Sequence, residues 1–298
     1  MSATTESTAG ALSATEPKAR VAISVINMKG GVGKTTIATL LCQRIARTHN
    51  VLAIDLDPQA NMSQALMGDG GYRRFLTDGS PSVVEVFKGF QPPSSASSPT
   101  PLDAAEVART IPGRRGRLRV VPSRFDFSDN LRGASQADVH ALARFIADGF
   151  HDVDIVLIDC APTESVLTRA AYHASRYVLV PVRPEYFATI GFPLLHESLE
   201  VFRAGNPGHE IDVLGVVIND AGYRGGNDGG PEKEQAMADI EGEAAKHDWR
   251  IFSNQIPYSR GFPKMMRGEH RWLGKARESF YPFEREFRRA LSEEGYLL

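Results

Sequence analysis

The sequence predicts an α/β protein with a twisted, mostly parallel sheet and helices on both faces, and three observations carry that reading. Apolar runs of strand length, rich in β-branched residues, alternate with helix-length runs along most of the chain, as repeated strand–helix units require. The first such run, Val21 to Ile26, passes through a glycine-rich turn, Asn27 to Thr36, into a helical run from Ile37 to Arg47. Two more, Val51 to Ile54 and Val153 to Ile158, each end in an aspartate, Asp55 and Asp159, and a parallel sheet gathers such strand ends at one edge.

Composition sets the bounds. With 298 residues, 42% of them hydrophobic, the chain can bury a full core, and a single domain over 20–298 is expected. Residues 1–19 read as a disordered tail: Met1 to Pro17 is Ser/Thr/Ala-rich with two glutamates and lacks the basic start and apolar core of a signal peptide. No apolar run approaches the roughly 20 residues that span a bilayer, so stable membrane insertion is not expected. A formal charge of −2 means that binding to nucleic acid would need a local basic patch. Cys42 and Cys160 are far apart and have neither zinc-site nor disulfide-framework spacing, which fits a reduced, cytoplasmic setting.

The turn itself reads Asn-Met-Lys-Gly-Gly-Val-Gly-Lys-Thr-Thr. Gly30, Gly31 and Gly33 let backbone N–H groups converge without side-chain obstruction, and the following helix offers its unpaired N–H groups to the same anion. In such a phosphate loop Lys34 reaches the terminal phosphates and the Thr35 hydroxyl ligates Mg²⁺, with Val32 and Thr36 completing the cradle. The usual G-x-x-x-x-G-K-[ST] pattern would put glycine where Met28 stands; Lys29 instead precedes the glycine pair. A plain glycine turn carrying surface lysines is the alternative, and the order strand, loop, helix speaks against it.

This Lys-Gly-Gly-x-Gly-Lys-Thr variant closely resembles the deviant Walker A loop of the ParA/MinD group of ATPases. The resemblance implies ATP and Mg²⁺ as cofactors and a homodimer formed on ATP binding, with Lys29 crossing to neutralise phosphate charge on the partner's nucleotide. The next segment, Asp55-Leu56-Asp57-Pro58-Gln59, is similar to the family's Asp-x-Asp-Pro-Gln; by that likeness Asp57 orients or activates the attacking water, and Asp55 supports the local network. Alternatively both aspartates cap the next turn. The strand ending in Asp159, followed by Cys160-Ala161-Pro162, also matches, and Asp159 would hold Mg²⁺ through water opposite Thr35. Cys160 reads as a small packing residue.

Between these motifs, Gly68 to Gly79 is polar and glycine-rich, and Ser82 to Lys88 reads as a helix capped by Ser82 with Glu85 three positions on. Gln91 to Pro101 reads as a Pro/Ser-rich surface loop, and Val107 to Ile111 and Leu118 to Val121 as strands about a basic turn. Gln136 to Phe150 is expected to be a helix, and Arg176 to Val182 a strand. Pro184 opens a helical stretch to about Arg203, kinked at Pro193; its Glu185-Tyr186-Phe187-Ala188 again resembles the family. Ile211 to Ile218 is a strand ending at Asn219, which serves either as a polar contact to the adenine edge or as an ordinary turn residue. A glycine-rich loop, Tyr223 to Gly230, precedes a polar helix from Pro231 to His247. Ile251 to Ile256 then reads as a strand whose Pro257 would flank the nucleotide.

Beyond Pro257 the resemblance fades. Arg260, Lys264, Arg267, Arg271 and Lys275 form a positive run interrupted only by Glu269, suited either to sequence-independent DNA binding or to a solvated basic face. From Tyr281 to Leu298, Phe283, Phe287 and Leu291 share a face expected to pack on the core. The reading reached from sequence is a ParA-like ATPase that dimerises on ATP and binds DNA nonspecifically. It would be cytoplasmic and nucleoid-associated, and would position a plasmid, chromosome region or other cargo with a ParB-like or other activating partner. A membrane-cycling MinD-like ATPase and a metabolic enzyme on the same scaffold are the alternatives.

Overall fold

The structure, a computed structural model, describes residues 20–88, 104–112, 117–125, 139–220, 230–259, 261–266 and 274–298. Within them lie eight strands: β1 Val21–Val25, β2 Val51–Asp55, β3 Arg109–Ile111, β4 Leu118–Val121, β5 Ile155–Asp159, β6 Tyr177–Val182, β7 Asp212–Asp220 and β8 Ile256–Pro257. They form one sheet in the order β3-β4-β2-β5-β1-β6-β7-β8, parallel throughout except for the antiparallel pair β3 and β4. The chain leaves β1 for β2 on one side and β5 for β6 on the other, so its direction of winding switches at the β5/β1 pair. Ligand crevices of doubly wound sheets open there, at the carboxy ends of the strands.

The central strands are buried on both faces, which is why they read as unbroken apolar runs. Alternate residues supply two separate cores. Leu52, Ile54, Val156 and Ile158 meet α5 (Ala141–Gly149), α6 (Val166–Ala174) and α7 (Gly191–Gly205). Val51, Ala53, Ile155 and Leu157 face the opposite layer, with α1 (Lys34–Ile45) and α10 (Gly274–Glu293). The expected C-terminal packing face is present: Phe280, Phe283, Phe287 and Leu291 are all fully buried, each contributing roughly 2–3 kcal/mol. Beneath them Glu284 forms a buried ion pair with Arg44 of α1 at 2.5 Å.

Four expected elements differ, and one stretch with no expected structure takes one on; the strand expected over Val107–Ile111 is confined to Arg109–Ile111, with Val107 ending a short helix. The glycine-rich stretch after Gly68 is helical: α2 runs over Asn61–Thr77 with one non-helical residue, Gly68, inside it. The helix expected from Pro184 starts at Gly191, because Phe187 takes a left-handed conformation at φ 60° and residues 184–190 turn instead; Pro193 then falls in the first turn of α7 and causes no kink. The strand expected over Ile251–Ile256 reduces to a single bridge, Val216 to Ile251, and the short β8. The helix expected over Gln136–Phe150 is shorter, at Ala141–Gly149.

The helix after Ser82 is α3, Val83–Lys88, with the predicted cap: the Ser82 amide and hydroxyl both donate to Glu85 Oε2, at 2.7 and 2.8 Å. The remaining helices are α4 Ala104–Val107, α8 Gly230–Lys246 and α9 Gly261–Met266. The N-terminal tail over 1–19, the 91–101 loop, the 113–116 turn and most of the 223–230 loop lie outside the described residues.

Candidate nucleotide site at the carboxy edge of the sheet

The loop between β1 and α1 has the backbone that its glycines predict. Gly31 and Gly33 sit at φ 75° and 97°, a region that residues with a Cβ rarely enter. At Gly33 space forbids a side chain as well, since a Cβ would lie 2.2 Å from Nδ2 of Asn219. Gly33 is also the N-cap of α1 and brings no side-chain cap, so the first helical N–H groups, at Lys34, Thr35 and Thr36, are available to an anion.

Two asparagines hold this loop from the sheet. Asn219, at the end of β7, donates from Nδ2 to the Val32 carbonyl at 2.9 Å. Asn27, fully buried, donates to the Pro181 carbonyl of β6 at 2.8 Å and accepts from the Lys29 amide at 2.8 Å. Gly191 makes room for it: a Cβ there would stand 2.5 Å from Asn27 Oδ1. Lys34 Nζ crosses the loop to the Lys29 carbonyl at 2.9 Å. Burial lowers its pKa, and Asp159, Cys160 and Asp57 oppose that shift.

Opposite the loop, Asp55 and Asp159 are register partners on β2 and β5, and both are fully buried. Three donors surround the Asp55 carboxylate: the Asp57 amide at 3.1 Å, the Ser63 amide at 2.8 Å and the Ser63 hydroxyl at 2.6 Å. Burial nonetheless pushes its pKa up to about 7. Burial and Asp55 also hold Asp159 well above the ordinary carboxylate value; the Thr35 hydroxyl and Lys34 favour its charged form, yet neither of its oxygens makes a hydrogen bond of good geometry. A buried carboxylate with both oxygens unsatisfied, facing a hydroxyl and an ammonium, fits the oxygen-only donor set that Mg²⁺ selects, with Thr35 and Asp159 as the holders. Asp57 lies at the mouth, its Oδ1 accepting the Gln59 amide at 2.8 Å.

Lys29 points away from this cluster. Its Nζ lies 3.4 Å from Glu185 Oε1 and donates to the Tyr186 carbonyl at 3.4 Å. Beside it the Tyr186 and Phe187 rings, tilted at 53° with centroids 4.0 Å apart, stand 81% and 58% exposed, followed by exposed Ile190 and Leu194.

The fold therefore brings together Gly30, Gly31, Val32, Gly33, Lys34, Thr35, Asp57, Asp159 and Asn219. Pro257 joins them because β8 pairs with the end of β7, Asn219 against Ile256 and Asp220 against Pro257. The basic run is placed only in part. Lys264 is exposed on α9, which packs against α2, whereas Arg260, Arg267 and Arg271, and the side chain of Lys275 in α10, lie outside the described residues. Further along α10, Arg288 pairs with Glu284 and Arg289 with Glu293. Sequence reasoning missed Asn27, Ser63 and Gly191. Asn27, a polar residue closing an apolar strand, was the readable signal; the other two act only through tertiary approach.

A phosphate loop at the switch point of a parallel sheet, faced by a buried carboxylate on the adjacent strand, defines a P-loop nucleotide hydrolase. A family model described as an AAA domain matches residues 20–208. The chromosome partitioning protein ParA of Caulobacter vibrioides is 34% identical over 203 residues, covering 66% of this chain and 68% of that protein. The chromosome-partitioning ATPase Soj of Thermus thermophilus is 34% identical over 200 residues, with the same coverage of 66% and 68%. Among solved structures, apo McdA from Cyanothece superposes with a TM-score of 0.72 over 91% of this chain and 99% of that one, at 20% identity, a likeness of fold. The chain belongs to the ParA family of Walker-type ATPases.

Proposed function

We propose that the chain is a positioning ATPase that binds ATP with Mg²⁺, pairs with a second copy across the two nucleotides and loads onto DNA without sequence preference. An activating partner protein would then stimulate hydrolysis and release it, moving a plasmid, chromosome region or other cargo. The relatives named for chromosome partitioning support the class. One observation carries the finer reading: Lys29 sits at the mouth of the phosphate loop, outside the Lys34–Asp159 cluster, beside the exposed apolar surface of Tyr186, Phe187, Ile190 and Leu194. An ammonium held at a rim of apolar side chains suits a triphosphate presented by another molecule, and the apolar surface suits burial against that molecule.

In this reading Gly30 to Thr36 cradle the phosphates, Lys34 neutralises their charge from within, and Asn219 and Pro257 flank the base. Thr35 and Asp159 hold the magnesium, which would supply charge neutralisation at the phosphate oxygens. Asp57 orients the attacking water. Asp57 is the one such candidate among the described residues, so intrinsic turnover is slow, which leaves room for a partner to accelerate it. Lys264, with Arg260, Arg267, Arg271 and Lys275, supplies the DNA contacts in a cytoplasmic, nucleoid-associated cycle.

A membrane cycle has less support. The apolar face of α10 is already buried, and among the described residues no helix is long and apolar enough to cross a membrane. The test is light scattering and DNA mobility shift with ATP, ADP and no nucleotide, with anionic vesicles in parallel. ATP-specific dimers that retard DNA of any sequence are the expected result; ATP-specific vesicle binding without DNA retardation would replace this reading with the membrane one.

A further inference from the structure

The α2 helix is broken where it could have been continuous. Gly68 has φ 69° and ψ 162°, a backbone conformation essentially confined to glycine, and nothing lies within 4 Å of where its Cβ would be. Packing at this point therefore does not demand glycine; the direction of the chain does. Ser63 and Tyr72 stand on either side of the break. At about 100° per residue an unbroken helix would turn them to opposite faces. With the break, both reach one residue just beyond β4: the Ser123 amide donates to Ser63 Oγ at 2.9 Å, and Tyr72 Oη donates to the Ser123 carbonyl at 3.1 Å.

The Ser63 hydroxyl is thereby fully committed. It accepts from Ser123, so its proton is directed to Asp55 Oδ2 at 2.6 Å, and the Ser63 amide donates to the same oxygen at 2.8 Å. The other oxygen of Asp55 accepts the Asp57 amide at 3.1 Å and so fixes the turn on which the Asp57 carboxylate rides. Asp55, Ser63 and Ser123 are all fully buried, so no water competes for these bonds.

We propose that Ser63, clamped with Tyr72 onto Ser123 by the break at Gly68, is a positioning residue for Asp57. It acts through Asp55 and touches neither nucleotide nor water itself. The inference rests on the reading of Asp57 as the water-orienting group, and Asp57→Ala is the control that separates the two.

The experiment compares the full chain with Ser63→Ala, Ser63→Thr, Tyr72→Phe and Asp57→Ala. Two quantities are read: amide hydrogen exchange of the 55–64 segment in nucleotide-free protein, and single-turnover ATP hydrolysis beside the affinity for a fluorescent ATP analogue. Ser63→Ala is expected to speed exchange in that segment and slow hydrolysis by about tenfold, the scale of one buried hydrogen bond, with affinity unchanged within about twofold. Ser63→Thr keeps the hydroxyl and restores both, and Tyr72→Phe gives a smaller change in the same direction. Wild-type exchange and hydrolysis in Ser63→Ala, with Asp57→Ala inactive, would overturn the proposal, as would a Ser63→Thr protein no better than Ser63→Ala. Should Ser63→Ala fail to fold, Tyr72→Phe decides: a wild-type rate and wild-type exchange there overturn it. Full hydrolysis by Asp57→Ala would instead overturn the reading on which it rests.

Discussion

Lys29 and Glu185 meet at 3.4 Å across the rim of the phosphate loop, so the lysine that distinguishes this loop is engaged by a carboxylate of its own chain. Both side chains are partly exposed, at 26% and 39%, and a pair of this kind is worth roughly 0.2–1 kcal/mol. It is a weak tether. Each chain of a dimer releases one such pair, so Glu185→Gln should lower the protein concentration at which ATP-dependent dimers form by no more than about thirtyfold. Lys29→Ala should retain nucleotide affinity and lose those dimers, both followed by light scattering; dimers of wild-type strength in Lys29→Ala would remove the lysine's role across the interface.

Asn219 and Gly33 give a second expectation. Gly33→Ala meets both a left-handed backbone and an amide nitrogen 2.2 Å from the new Cβ, so nucleotide affinity should fall by well over about tenfold. Asn219→Ala removes one hydrogen bond to Val32, of about 1 kcal/mol net, and should weaken binding only severalfold. Titration with a fluorescent nucleotide separates the two cases.

The carboxylate pair makes stability depend on pH. Burial raises Asp55 to about 7 from an ordinary 3.8, and Asp159 is raised with it. The metal-free folded chain thus keeps protons that the unfolded chain has already released. This contribution to stability is complete below the unfolded value and is lost as pH rises through about 7. Between pH 5 and 8 the urea midpoint of the nucleotide-free protein should fall relative to that of Asp55→Asn, and Mg²⁺ with ATP should restore it at pH 8. Parallel midpoints for the two proteins would exclude the coupling.

The ion pair of Arg44 and Glu284 is almost wholly buried, and Arg288 adds a second contact to the same carboxylate at 3.1 Å. Glu284→Ala leaves a buried guanidinium facing an apolar layer and should cost about 3–5 kcal/mol in urea unfolding. The double change Arg44→Met with Glu284→Leu should recover most of that loss.

Much of the fold was legible because parallel strands buried on both faces are apolar without interruption, as in Val51–Ile54 and Ile155–Ile158. The phosphate loop was legible because its chemistry is local, with glycines, Lys34 and Thr35 adjacent in sequence. Asp159 could be read once that loop was in hand. What escaped depends on tertiary contact. Helix α2 continues beyond Gly68 because Tyr72 and Phe75 find a buried place, overriding three glycines and a polar composition. The start of α7 is set by Phe187, whose backbone departs from a tetrad that reads as helical. Asn27 and Gly191 form a lock only because the sheet brings positions 164 residues apart to within 2.5 Å of a would-be Cβ. The basic run was readable as charge, but which of its members face outward is a matter of fold.

The last helix is bolted to the first. Arg44 of α1 is ion-paired with Glu284 and lies 5.4 Å from the Tyr281 ring, while the phenylalanines of α10 fill the layer over α1. The two helices consequently share one ion pair and one apolar layer, so a change on either side of that layer acts on both. A fluorophore placed near Leu297, whose side chain is 65% exposed, would report whether α10 moves when nucleotide binds.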